Sequence, residues 1–172
     1  MIKGITMDNK YEMLKEYIVG NQAKFYRLAF SFVLNQEAAL DVVQNAILKA
    51  LENYRSIRDM NYLSTWFYRV LVNECHSYIK SSRRMVLLSP DSIPEEGYLE
   101  KAYECCQDEV FNEVLKLPKK IRTVIILRFY EELSLCEISQ ITEANLSTVK
   151  TRLYTGLKKL KVSLKEWKNE SF

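Results

Sequence analysis

Apolar residues recur every three or four positions along almost the whole of this chain, and that spacing leaves little room for anything but helices. Phe25, Leu28, Ala29 and Phe32 fall at i, i+3, i+4 and i+7, one stripe of a helix with 3.6 residues per turn. After the turn-like Asn35-Gln36, the pattern continues through Leu40, Val43, Ile47, Ala50 and Leu51. Arg55 to Leu63 is polar and breaks the rhythm, so it reads as a loop. Ser64 is placed to cap the next helix, in which Phe67, Val70, Leu71, Tyr78 and Ile79 share a face. Only 4 glycines and 3 prolines punctuate the 172 residues, whereas a β-rich chain with many tight turns would need more. The expected fold class is all-α.

Four stretches separate along the chain. Residues 1–10 read as a loose tail, residues 11–84 as a helical bundle and residues 85–103 as a linker. That linker holds Pro90, Pro94 and Gly97 and is expected to be flexible. Residues 104–172 are helical again, which gives two small helical domains. In the second domain Val110, Val114 and Leu117 form a short stripe that stops at Pro118. The next helix runs from Lys119 to Glu131. Ser134 followed by Glu137 has the spacing of a capping box, opening a helix from Leu135 to Thr142. Glu143-Ala144-Asn145 is a turn, and a last helix starts near Leu146 to Thr148, with Val149, Leu153, Leu157 and Leu160 facing inward.

Charge is distributed unevenly. The formal net charge is +3, too small to speak for a polyanion partner by itself. From Asp91 to Glu113 there are eight acids against the single base Lys101, and from Ala144 to Lys165 six bases and no acid. One end is therefore suited to a polyanion and the middle to solvent. No apolar run approaches the length that spans a bilayer, and the first ten residues lack the apolar core of a secretory signal, so a cytoplasmic protein is expected. Cys75, Cys105, Cys106 and Cys136 form no C-x-x-C pair, and with His76 as the one histidine they read as reduced thiols rather than zinc ligands. No phosphate loop, H-E-x-x-H or G-x-S-x-G is present, which leaves enzymatic chemistry without a carrier.

A short capped helix, a brief turn and a longer basic helix make the helix-turn-helix layout. Opposite its apolar stripe the last helix presents Ser147, Thr148, Lys150, Thr151, Arg152 and Tyr154. These are short donors and long cations, of the kind that reach base edges from a helix N-terminus in the major groove. Lys158, Lys159 and Lys161 lie further along and suit phosphates. An ordinary solvated basic face is the alternative, and the capped helix in front favours DNA. On the second helix Asp41, Gln44, Asn45 and Lys49 project outward, which by periodicity alone is a solubility face. The aromatic cluster Trp66, Phe67, Tyr68 and Tyr78 reads as core, and His76 as structural or surface.

Several of these runs closely resemble one family. Leu117 to Ser139, LPKKIRTVIILRFYEELSLCEIS, is similar to the start of domain four of the extracytoplasmic-function sigma factors. Thr148 to Tyr154, TVKTRLY, resembles their promoter-reading helix. Phe25 to Ala29, Asp41 to Gln44 and Ser64 to Arg69 resemble their domain two. The likeness covers residues 11–164 in the family's order.

The resemblance implies an alternative sigma factor without cofactor. Asp41, Gln44 and Asn45 would grip the clamp helices of the large subunit of core RNA polymerase. Arg58, Asn61, Trp66, Asn73 and Lys80 would take the minus-ten element, including a flipped base whose unstacking costs a few kcal/mol. Ser147, Thr148, Lys150, Thr151, Arg152, Tyr154 and Lys158 would read the minus-35 element. Glu143 stands where the family often has Gly, and because Glu enters a left-handed turn at greater cost the corner is expected to be built differently. Val72 and Ser77 stand where Arg and Asp are frequent, and Thr155 where Arg is. The runs are also similar to the SigV-like subgroup of Gram-positive bacteria, which implies an envelope-stress role and a membrane-anchored anti-sigma partner for a monomer that is not itself in the membrane.

Two other readings stand beside this one. A stand-alone helix-turn-helix regulator would bind palindromic sites as a dimer. A pure interaction module would use its helical faces for a regulator protein alone.

Overall fold

The computed structural model describes residues 7–88 and 109–170. The stretch read as linker lies, from residue 89 on, outside the described residues, as do Cys105, Cys106 and most of the N-terminal tail. Among the described residues the regular structure is helical: α1 Met7–Val33, α2 Gln36–Asn53, α3 Leu63–Leu88, α4 Glu109–Leu115, α5 Lys119–Phe129, α6 Leu135–Thr142 and α7 Leu146–Glu170. Two short 3-10 turns, Tyr54–Ser56 and Met60–Tyr62, lie between α2 and α3.

The first unit is a bundle of α1, α2 and α3. Its centre is aromatic: the Phe25 and Phe67 rings lie 4.3 Å apart between centroids, and Tyr68 meets Phe25 edge-on at 5.6 Å. Leu34 turns left-handed at φ 53 to end α1. Asn35 then caps α2 by accepting from the Ala38 amide at 2.9 Å. The helix α1 starts at Met7, inside the expected tail, and is tied down where the Lys10 ammonium donates to the Ile57 carbonyl at 2.8 Å.

On α2 the buried residues are Ala38, Ala39, Val42, Val43, Ala46 and Ala50. Small side chains let α2 lie close against its neighbours, and the close approach rotates Leu40 out to 51 % exposure, against the inward position read from its spacing. The expected loop is there, held by buried Ile57 and Met60. Its cap is Asp59, which accepts from the Asn61 amide. Ser64 is not a cap: it sits within α3, and its hydroxyl accepts from Tyr17 at 3.1 Å. The helix α3 also runs on to Leu88, into the stretch read as linker.

The second unit stacks α7 across α5 and α6. Pro118 precedes α5, and the α6 bounds are those that the capping box indicates. Ser134 accepts from the Glu137 amide while the Glu137 carboxylate accepts from the Ser134 amide at 2.8 Å. Val149, Leu153 and Leu160 are buried as expected, but Leu157 is exposed. Gly156 takes the inward place instead: a Cβ there would sit 2.8 Å from Ile121 Cγ2 and 2.9 Å from Ile125. The absence of a side chain lets α7 touch α5. Val110 likewise lies outside, with Phe111, Val114 and Leu115 buried in its stead.

The two units meet directly. The helix α3 lies along α6, and α1 lies along α5. The Tyr68 hydroxyl donates to Glu131 Oε2, both residues being buried. Thr65 donates to Glu137 at 3.2 Å, and Arg69 to Glu143 at 3.0 Å. Arg27 rides over the Tyr130 ring, and Lys119 over Phe32.

Replacing Gly156 with Val should cost about 1–3 kcal/mol through overpacking of α7 on α5. The expected result is a lower urea midpoint with an unchanged slope.

Candidate nucleic-acid interface

The helix-turn-helix is set by three local devices: the capping box at the start of α6, the corner and the cap of α7. Glu143 adopts the left-handed conformation, φ 52 and ψ 35, and its amide donates back to the Ser139 carbonyl. The expectation of a differently built corner is therefore corrected. The fold keeps the left-handed turn, and Glu bears a cost on the order of 1 kcal/mol. The Arg69 contact offsets part of that at most, because both side chains are largely exposed. Beyond the corner, Asn145 Oδ1 accepts from the Thr148 amide at 2.8 Å and from the Ser147 hydroxyl at 2.9 Å. This satisfies donors that the start of α7 leaves free.

The residues expected on the minus-35 side divide into two groups. Ser147, Lys150, Thr151, Tyr154 and Lys158 are exposed together on one side of α7, with Tyr154 at 68 %. The Thr151 hydroxyl donates to the Ser147 carbonyl, so that residue offers mainly its methyl and an acceptor. Thr148 and Arg152 are half-buried. Arg152 is turned away from this face, into a cleft of about 920 Å³ between the two units.

The minus-ten candidates are also spread. Arg58 and Asn61 are exposed in the loop, and Trp66 is half-buried against the core. Asn73 and Lys80 are exposed further along α3 and line the same cleft as Arg152. Trp66, Asn73 and Lys80 follow one another at i, i+7 and i+14, a stripe about 21 Å long at 1.5 Å per residue.

The cleft collects Lys80, Arg84, Lys119, Lys120 and Arg152 over an apolar floor of Phe32, Val72, Ile79 and Ile141. The His76 ring lies 5.6 Å from Phe32. Partial burial and the nearby Lys119 hold its pKa below the ordinary imidazole value. Lys119 and Lys120 were not singled out from sequence, yet a signal existed: two cations in the first turn of α5, with no acid there, oppose the helix dipole.

Asp41, Gln44 and Asn45 all project from the outer face of α2. Leu40 and Leu48, 51 % and 58 % exposed, share that face. Polar groups interleaved with exposed leucines fit a protein partner better than solvent alone.

Two family descriptions match the chain: Sigma-70 region 2 over residues 18–85 and Sigma-70, region 4 over residues 108–160. RNA polymerase sigma factor SigV of Bacillus subtilis is 39 % identical over 154 residues, covering 88 % of this chain and 91 % of that protein. The chain belongs to the extracytoplasmic-function sigma factors. It is an alternative sigma factor, and it is SigV-like. A second relative, ECF RNA polymerase sigma factor SigW of Bacillus subtilis, is 32 % identical over 158 residues, 83 % of this sigma factor and 84 % of that one. Among solved structures, the sigma factor RpoE in complex with the anti-sigma factor NepR from Bartonella quintana superposes with TM-score 0.73 at 21 % identity, over 88 % of this chain and 96 % of that one. CnrH in complex with the cytosolic domain of CnrY superposes with TM-score 0.66 at 17 % identity, over 89 % and 88 %. No described helix of this sigma factor is long and apolar enough to cross a membrane.

Asn145→Ala removes the cap that fixes the start of α7 and should cost about 1 kcal/mol. A lower thermal midpoint with unchanged helical circular dichroism at low temperature would register it.

Proposed function

We propose that this sigma factor docks on core RNA polymerase through the α2 face around Asp41, Gln44 and Asn45 and carries it to promoters. The exposed face of α7, with Ser147, Lys150, Thr151, Tyr154 and Lys158, meets the minus-35 element, and Arg152 joins it from the edge. Arg58, Asn61, Trp66, Asn73 and Lys80 receive the minus-ten element. The observation that carries this reading is the pairing of two outward faces on one family scaffold. One is cationic, behind a capped helix-turn-helix; the other interleaves exposed leucines with polar and charged groups of both signs. A stand-alone regulator would leave the α2 face without use.

The protein acts in the cytoplasm, where polymerase is, as a monomer held by a membrane-anchored anti-sigma protein until envelope stress removes it. The likeness to SigV supports this, as does a solved neighbour that carries a bound anti-sigma factor.

Run-off transcription from the region upstream of the chain's own gene, with core polymerase, tests the reading. A transcript should appear only when the protein is added. Lys150→Ala with Tyr154→Ala should reduce it tenfold or more, about 1.4 kcal/mol or above, and Lys150→Ala alone should flatten the salt dependence of promoter binding by about one charge. Asp41→Ala with Gln44→Ala should weaken core binding by about 1–3 kcal/mol without moving the unfolding midpoint. Unchanged core affinity in that pair would remove α2 as the docking face.

A further inference from the structure

The cleft of about 920 Å³ described above is lined by two kinds of side chain. Its rim is cationic: Lys80 and Arg84 come from α3, Lys119 and Lys120 from the start of α5, and Arg152 from α7. Against these cations stands one acid, Glu143, which already faces Arg69 at 3.0 Å. The start of α5 adds the positive end of its helix dipole. Like charges gathered in this way repel one another, and a bound anion turns that repulsion into attraction. The floor has the opposite character. Phe32, Val72, Ile79 and Ile141 form it, and the His76 ring lies 5.6 Å from Phe32.

A ligand has to satisfy both halves. A nucleic-acid backbone offers phosphates and sugars, which have no use for an apolar floor. A single-headed anion such as a fatty acid covers the floor and leaves most of the cations unanswered. A ring that carries several phosphates meets both, and the volume falls within the roughly 300–1,000 Å³ of small-ligand sites.

We propose that this cleft is a binding site for a nucleoside polyphosphate, its base on Phe32, Ile79 and His76 and its phosphates on Lys119, Lys120 and Arg152, with Lys80 and Arg84 facing them from α3. The Arg152 guanidinium offers phosphate oxygens a planar fork, while the lysines act as point charges. Asn73, on the rim, offers an amide to the base or the ribose. None of this depends on how α7 meets promoter DNA.

The single histidine of the chain reports on the site. Partial burial and Lys119 hold the His76 pKa down against the pull of Glu143. Phosphates beside Lys119 favour the imidazolium, so they raise that pKa. The His76 ring signals of the full chain are followed by nuclear magnetic resonance as ATP is added in metal-free buffer, with inorganic tripolyphosphate and adenosine as separate probes. ATP should shift the signals saturably and move the midpoint of their pH titration upward. Tripolyphosphate, which lacks the ring, should bind about tenfold more weakly or worse, and adenosine more weakly than ATP as well. Arg84→Ala/Lys120→Ala, two exposed cations from opposite sides of the cleft, should lower ATP affinity about tenfold or more. Ile79→Ala should weaken ATP and leave tripolyphosphate unchanged. Lys159→Ala/Lys161→Ala removes the same charge from α7 away from the cleft and should leave ATP affinity as it is. Circular dichroism confirms that each variant is folded. The absence of a saturable His76 shift overturns the site. Tripolyphosphate binding as tightly as ATP overturns the nucleoside. Equal losses in the cleft pair and the α7 pair reduce the effect to general attraction by cations and overturn the site as well.

Discussion

The hydrogen bond between Tyr68 and Glu131 couples everything else in this molecule. A carboxylate withdrawn from water is costly unless it is paired, and here the pairing partner belongs to the other domain. Burial pushes the Glu131 carboxyl above the ordinary carboxylate range, while the Tyr68 hydroxyl, Arg27 and Lys24 pull it back. Tyr68 is in turn part of the aromatic centre that packs α1 against α3. The core of one domain and the approach to the helix-turn-helix of the other therefore share a contact. A change at Glu131 is felt in both.

The helix-turn-helix shows how little of a reading element depends on the reading residues. Its geometry comes from Ser134, Glu137, Glu143 and Asn145, which cap helices and turn the chain. Glu143 is the least suited by backbone preference, yet it keeps the left-handed corner. The left-handed turn brings the Ala144 amide within 3.2 Å of the Ser139 carbonyl, to which it donates, and the Glu143 carboxylate finds Arg69. Glycine would make the corner at lower cost and would lose the inter-domain contact.

What could be read from sequence was what local rules determine. The capping box gave the bounds of α6, the breaks at Asn35 and Pro118 fell where the helices change, and the motif runs identified the family later matched over residues 18–85 and 108–160. Side-chain direction was less secure. Leu40 and Leu157 have helical spacing and are exposed, because small residues on their own helices, the α2 alanines and Gly156, determine which stripe can approach most closely. Ser64 looked like a cap only because the 3-10 turn at Met60–Tyr62, capped by Asp59, was invisible to a pattern of apolar residues. The position of Arg152 was beyond local reasoning altogether: its place in a cleft depends on α3, more than sixty residues away along the chain.

The modest net charge conceals the more informative fact, which is placement. Lys119 and Lys120 sit at a helix start, where the backbone dipole disfavours them, and they face Lys80 and Arg84 across a cleft whose one acid, Glu143, is occupied by Arg69. Such an arrangement is poor for the stability of the isolated chain. It becomes favourable when a polyanion supplies the missing charge, or when the domains separate and each set of cations is solvated.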